Sequence, residues 1–184
     1  MALTDDLESQ KAYQRITHDA DDALVSANLT AAAEWFERET SYAVESRSYS
    51  VALSKWRREI TLWPVPLVAV ASVTYTGDDG DDHTVEATDY HVTTHSRPGR
   101  LVFASDYSFP PLADGVPEPI RITYSCGHAT AEDMPDTLIA GVRLLASHLY
   151  EQRTPVTEVA ANELPMGIQR IIDLHRFPRG EEVE

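Results

Sequence analysis

Apolar residues recur along this chain at two different periods, and the change of period divides it into regions. The strongest helical pattern covers residues 135–153, and Pro135 suits its first position because a proline lacks only an N–H that the helix would not use there. A helix this apolar around most of its circumference belongs inside a domain core or a subunit contact. Its apolar positions occupy two neighbouring faces: Leu138, Ile139, Val142, Leu145, Ala146 and Leu149.

A second long helix is predicted over residues 17–40. Thr17 or Asp19 is expected to cap it, and the acidic residues that follow lie where the helix dipole favours negative charge. Two stripes at helical spacing run along it. The main stripe is Val25, Leu29, Ala32 and Phe36, and the adjacent one is Leu24, Ala31 and Trp35.

From Ser48 the period falls to two, which predicts β-strands. The expected strands cover residues 48–53, 60–62, 72–76, 84–93, 101–103 and 120–124. The segment 77–82, GDDGDD, predicts a hairpin turn, and 106–119 predicts a long loop. A short basic cluster separates the first two strands, and we interpret it as an interface patch that forms salt bridges: Lys55, Arg57 and Arg58.

A shorter helix follows Pro165, with apolar residues at Ile168, Ile171 and Ile172. A helix with this stripe after a polar linker has little core of its own, so we expect it to need a groove on a partner. The patterns together predict an α+β fold. They indicate a domain over residues 1–153 with a helical core and a β-rich insertion at about 48–125, followed by a C-terminal helical arm at 154–184.

Composition and charge reduce the number of functions that fit the chain. The formal net charge of −15 argues against binding nucleic acid by neutralising phosphates. There is no apolar run of the length that spans a bilayer and no pattern of a secretory signal at the N-terminus, so no membrane association is expected. The single cysteine, Cys126, excludes an internal disulfide and fits a reducing compartment.

The sequence gives no catalytic or metal-binding motif. The acidic turn at 77–82 lacks the spacing and the final glutamate of a calcium loop, and the histidines never form HxH or HExxH. Cys126 lies two residues from His128, but a Cys–His nucleophile normally combines residues distant in sequence with an orienting third group. We therefore expect no enzyme activity, no cofactor and no bound metal.

Four stretches, in this order and spacing, resemble the head–tail connector (adaptor) proteins of tailed bacteriophages. The first covers residues 7–36, a KAxxRI segment followed by the helix DDALVxxxLTAAAEWFE. The second is LWPVPL with the strand at 70–75, and the third is DYHV followed by PGRL at 98–101. The fourth is residues 144–153 followed by LPMGI. The likeness spans roughly residues 7–177.

This resemblance implies a structural protein of the virion, assembled in the host cytoplasm. Connectors of this kind form a ring of about twelve copies beneath the portal, extend the DNA channel and present a surface to a stopper or tail protein. Double-stranded DNA would pass the lumen without specific binding. The C-terminal arm would dock on the portal through Leu164, Pro165, Ile168, Ile171, Ile172 and Phe177.

Other functions fit parts of the pattern. A stopper or tail-completion protein would occupy the next layer of the same particle. An acidic β-rich binding module would recognise a glycan or peptide through exposed aromatic residues, namely Trp63, Tyr107 and Phe109. An enzyme would use His128 or Cys126. The order of the motifs favours the connector.

Overall fold

The computed structural model describes residues 2–4, 6–151 and 166–177. It divides into a helical unit, Met1–Glu45 with His128–Glu184, and a β unit, Ser46–Gly127. The helices are α1 (Leu7–Gln14), α2 (Asp22–Thr40), α3 (Asp136–Glu151) and α4 (Met166–His175). The strands are β1 (Arg47–Leu53), β2 (Glu59–Leu62), β3 (Leu67–Thr76), β4 (Asp82–Thr84), β5 (Tyr90–Thr93), β6 (Gly99–Phe103) and β7 (Ile120–Cys126). The α+β class predicted from the sequence is confirmed.

The core of the helical unit lies where α2, α3 and α4 meet. The main apolar stripe predicted for α2 is fully buried, which follows from its helical spacing. Residues from all three helices line this core: Val25, Leu29, Ala32, Phe36, Leu138, Val142, Leu145, Ile168 and Ile172. The contact is close enough that Gly141 is needed at the centre of α3. A Cβ atom there would lie 2.6 Å from Cζ of Phe36.

Two helix predictions need correction. α2 begins at Asp22 rather than near Thr17, because residues 19–22 form a turn closed by the bond from Asp22 N to Asp19 O. α3 is not buried all round within this chain, since Leu144 and Leu149 each leave 37 % of their surface exposed. Its buried face is the one that carries Leu138 and Leu145.

The C-terminal helix belongs to the helical unit of its own chain. Ile168 and Ile172 are buried, with 2 % and 0 % of their surface exposed. After the helix, the Phe177 N–H donates to the Thr40 carbonyl, and Arg176 pairs with Glu39 at 3.0 Å. These contacts satisfy carbonyls at the C-terminus of α2, where a cation is also favoured by the helix dipole. The expectation that this Ile stripe needs a partner to cover it is therefore wrong for Ile168 and Ile172.

The β unit contains two antiparallel sheets. One has the strand order β1–β7–β3–β4, and the other has the order β2–β6–β5. β7 is one of the two inner strands of the first sheet and turns alternate residues inward, namely Ile120, Ile122, Tyr124 and Cys126. The alternation predicted from the period of two is thus present in the structure.

One predicted strand is wrong. The segment 84–93 was expected to form a single strand, but it is split between the two sheets as β4 and β5. Pairing with β3 ends at Val85, whose N–H donates to the Val73 carbonyl. A 3-10 turn at Ala87–Asp89 then redirects the chain to pair with β6. Within the described ranges, no helix is both long and apolar enough to cross a membrane.

Candidate assembly surfaces

The outer face of α4 carries the most exposed apolar side chains of the described residues. Met166 has 89 % and Leu174 has 69 % of its surface exposed. Arg170 lies between them, and the spacing of four residues places all three on one side of the helix. Arg170 makes no ion pair or hydrogen bond within the part of the chain that the structure describes. The outer face of α4 thus has two apolar side chains around Arg170, with the Asp173 carboxylate, which accepts a hydrogen bond from Gln169, at its edge.

A groove of about 480 Å³ lies between α1 and α3. Tyr13, Ile139 and Ala140 supply apolar surface, and Tyr13 leaves 47 % of its surface exposed. Two carboxylates of its lining, Glu132 and Asp136, have no ion-pair or hydrogen-bond partner among the described residues. Its complete lining is Asp6, Tyr13, Ala131, Glu132, Asp136, Ile139, Ala140 and Arg143. We call this site the α1–α3 groove.

Polar contacts fix α1 beside this groove. Arg143 pairs with Asp6 at 2.7 Å, and the buried Gln10 amide donates to the Arg143 carbonyl at 3.4 Å. Lys11 contacts Asp19 and Asp22, each at 2.7 Å. The hydrogen bond to Asp19, followed by the one to Asp22, raises the pKa of Lys11 above its ordinary value. Because α1 buries only Gln10 and Lys11, its attachment depends on these charged contacts more than on apolar packing.

The three basic residues of the predicted interface patch are exposed, but they differ in role. The Arg58 guanidinium lies 4.8 Å from the centre of the Phe109 ring and donates to the Ala104 carbonyl. It therefore secures the loop after β6 as well as facing solvent. Lys55 and Arg57 are exposed next to it. An interface role for Lys55, Arg57 and Arg58 stays a prediction.

The aromatic residues of the loop pack together instead of forming an open binding surface. Trp56 donates from its indole N–H to the Pro110 carbonyl at 2.9 Å and stacks on Phe109 with ring centres 5.4 Å apart. Tyr107 stacks on Phe103 at 5.2 Å. Tyr107 and Phe109 are consequently half-buried, which weakens the case for a glycan- or peptide-binding module.

The residues considered for catalysis are packed in ways that serve the fold. Cys126 is fully buried in β7, and burial raises the pKa of its thiol to about 12, which is opposite to the activation of a nucleophile. The His128 ring stacks on Tyr42 and lies 3.1 Å from its hydroxyl. No group of three metal-ligating side chains is arranged to hold an ion anywhere in the described ranges.

The acidic turn between β3 and β4 is organised by hydrogen bonds of its own. The Asp79 carboxylate lies 3.0 Å from His83 Nε2 and also accepts the Asp81 N–H. The bond to Asp79 raises the pKa of His83, and the same bond lowers the pKa of Asp79. Gly80 takes a positive φ of 85° at the tip, a conformation that glycine adopts without strain.

The structure places the predicted docking residues on different surfaces. Ile168 and Ile172 lie in the core, whereas Ile171 and Phe177 are half-buried. Leu164 and Pro165 lie outside the described residues. The exposed side of α4, with Met166 and Leu174, was not predicted, because the Ile stripe alone indicated a docking face. The eight-residue spacing of these two side chains was the available signal.

No protein-family model and no curated protein sequence matches the chain. Among solved structures, it is similar to a chain in the neck of an empty gene transfer agent particle computed with C6 symmetry. That match has a TM-score of 0.77 and 24 % identity and covers 95 % of this chain and 90 % of the other. A chain of a native gene transfer agent virion gives a TM-score of 0.76 at 24 % identity, with coverage of 95 % and 90 %.

A third match is to a chain in the neck of a native gene transfer agent particle computed with C12 symmetry. Its TM-score is 0.70 at 25 % identity, and it covers 92 % of this chain and 89 % of the other. All three matches extend over nearly the whole of both chains and include both units. The chain therefore has the fold of the neck proteins of phage-like particles, and its predicted likeness to head–tail connectors is confirmed at the level of the fold.

Proposed function

We propose that this chain is a ring subunit of the neck of a tailed-phage-type particle, where it serves as a head–tail connector. The single observation that carries the proposal is the match over at least 89 % of both chains to chains in the necks of gene transfer agent particles. In this role the ring docks beneath the portal, extends the DNA channel and offers a surface to the stopper or tail protein. The function is structural and involves no catalysis and no cofactor.

The distribution of charge supports a channel that DNA passes without adhering. The helical unit contains 20 acidic and 8 basic residues, a formal charge of −12, whereas the β unit contains 10 and 7, a formal charge of −3. Phosphates are repelled by such a surface at moderate ionic strength. The purified chain is expected not to retard duplex DNA in a gel. Retardation at physiological salt would contradict the proposal for the lumen.

The same charge opposes contact between copies in low salt. We therefore propose that the free chain is a monomer or a weak oligomer and that the portal templates the ring. Portal docking is assigned to the C-terminal segment, residues 154–184, with Ile171 and Phe177 as the half-buried members of the predicted set. Ile168 and Ile172 contribute to this docking only by holding α4 in place.

Negative-stain imaging of the chain with and without its cognate portal tests the proposal. A ring added beneath the portal in the mixture, and no ring with the chain alone at low salt, is the expected result. A compact monomer that does not associate with the portal at any salt concentration would refute the connector role. A stable dodecamer of the chain alone at low salt would refute only the templating.

A further inference from the structure

We infer that the outer face of α4 of one copy binds the α1–α3 groove of the next copy and so forms a contact between neighbouring ring subunits. The inference rests on the proposed ring and names one of its interfaces. It is carried by three observations: two exposed apolar side chains on α4, an apolar groove with acidic residues, and the position of these surfaces on opposite sides of α3.

The two surfaces match in chemistry. Met166 and Leu174 present flexible apolar side chains, and Tyr13, Ile139 and Ala140 offer apolar surface to receive them. Burying these side chains would remove their apolar area from water, which is the main favourable term in association. Exposed apolar side chains grouped on one face are also a general mark of an interaction site.

The charges match as well. Arg170 is the cation in the middle of the outer face of α4, and it has no partner among the described residues. Glu132 and Asp136 line the groove and are likewise unpaired in the described part of the chain. An arginine that meets carboxylates within a partly desolvated contact gains charge-assisted hydrogen bonds, which also fix the register of the two surfaces. The two carboxylates of the groove thus attract Arg170, while Asp173 at the edge of the same face is hydrogen-bonded to Gln169 of its own helix.

The geometry favours head-to-tail contact. α4 touches α3 at Thr137, whose hydroxyl lies 2.8 Å from His175 Nε2, and at Gly141 beside Ile171. The groove instead uses Asp136, Ile139 and Arg143 of the same helix. At 3.6 residues per turn these two sides of α3 are separated by roughly 150°. Two different surfaces on separate sides of a subunit make a heterologous contact, which repeats into a ring when the rotation closes.

Chemical cross-linking tests the contact directly. The variant Leu174→Cys/Ile139→Cys is treated with a short bismaleimide in portal-bound rings, where the native Cys126 is buried and does not react. A ladder of covalently joined chains is expected. The matched control is Leu174→Cys/Val68→Cys, because Val68 is also exposed, at 50 %, but lies on β3. Rings that give no ladder with the first variant, or equal ladders with both, overturn the inference.

Assembly measurements supply a second test that separates the two proposals. Met166→Ser/Leu174→Ser is expected to raise the chain concentration for half-maximal ring formation on the portal by roughly tenfold or more, with unchanged thermal stability. Arg170→Glu is expected to weaken assembly similarly, and adding Glu132→Arg is expected to restore it. Arg38→Glu on α2 makes the same change of charge on an exposed residue outside both surfaces, and it is expected to leave assembly unchanged.

The outcomes have distinct meanings. If the wild-type chain forms rings and the variants assemble equally well, the interface is overturned and the connector function stays intact. Wild-type chain that forms no ring on its portal would overturn the connector function and, with it, the interface. Weakened assembly by the α4 variants supports the interface when Glu132→Arg restores the assembly of Arg170→Glu, because a loss of portal docking by the same segment would not be restored. Arg38→Glu is expected to assemble like the wild type.

Discussion

The same substitution, glycine to alanine, is expected to have opposite effects in two helices of this protein. In α3, a Cβ atom on Gly141 would lie 2.6 Å from Cζ of Phe36 and 2.8 Å from Cγ2 of Ile171. In α4, a Cβ atom on Gly167 would meet nothing within 4 Å. We expect Gly141→Ala to destabilise the helical unit and Gly167→Ala to stabilise it.

The magnitudes follow from two competing terms. Replacing glycine by alanine inside a helix gains at most about 1 kcal/mol, because alanine loses less backbone entropy on folding. Overpacking a well-filled core costs about 1–3 kcal/mol. Phe36 is fully buried and cannot move into solvent to make room. The net expectation for Gly141→Ala is a loss of up to about 2 kcal/mol, and for Gly167→Ala, in the first turn of α4, a gain of about 0.5 kcal/mol.

The assay is urea unfolding followed by far-ultraviolet circular dichroism at the helical band, which reports mainly on the helical unit. A fit to two states is justified only if a second probe, such as tryptophan fluorescence, gives the same midpoint, because the chain contains two units. Unfolding slopes unchanged from wild type would show that the shifts in midpoint reflect stability.

A double-mutant cycle identifies the cause. Phe36→Leu removes the ring atoms that approach Gly141, at a cost of its own of about 1–2 kcal/mol from lost apolar contacts. In that background Gly141→Ala is expected to cost less, because only the approach to Cγ2 of Ile171 remains, which gives a favourable coupling of about 1 kcal/mol. Gly141→Ala that stabilises the wild type as much as Gly167→Ala would refute the close packing of α2 against α3.

Three further predictions concern the β unit. In an NMR titration, Asp79→Asn is expected to lower the pKa of His83 towards its ordinary value, and an unchanged His83 titration would contradict this contact. Because the folded-state pKa is raised, the stabilisation from this pair is present at low pH and is lost as the pH rises through that pKa. Cys126 is expected to react with a thiol reagent only after unfolding, and rapid labelling of the native chain would contradict its burial. Arg58→Ala is expected to destabilise the chain by about 0.5–1 kcal/mol and to weaken the near-ultraviolet circular dichroism of the aromatic loop, since it removes the cation over Phe109; an unchanged spectrum would argue against this contact.

The interior of the helical unit was largely readable from the sequence. The stripe Val25–Phe36 and the face with Leu138 and Leu145 are buried as their spacing predicts, because an amphipathic helix is stable only when its apolar side is covered. The start of α2 was not readable. Asp19 was a plausible cap by residue type, but it belongs to a turn and its carboxylate pairs with Lys11, a contact from a different helix.

The β unit shows a different limit. Alternation identified most strand segments, but it does not state which strands pair. In residues 84–93 the apolar residues lie at odd positions (Val85, Ala87) and then at even positions (Tyr90, Val92), and between them the chain leaves one sheet and joins the other. The 3-10 turn between them, Ala87–Asp89, contains neither glycine nor proline, so this change of phase was the available signal for the break.

The terminal helix shows why an apolar stripe cannot identify its own partner. Periodicity establishes that Ile168 and Ile172 must be covered, but a groove on the same chain and a groove on another protein satisfy that requirement equally well. The structure covers them within the chain, and this leaves the opposite side of α4 to meet other molecules. There, Met166 and Leu174 are apolar residues on the side that an isolated amphipathic helix would keep polar. An apolar residue that violates the pattern of a folded helix is thus a better guide to assembly than one that obeys it, because the fold itself gives no reason for its presence.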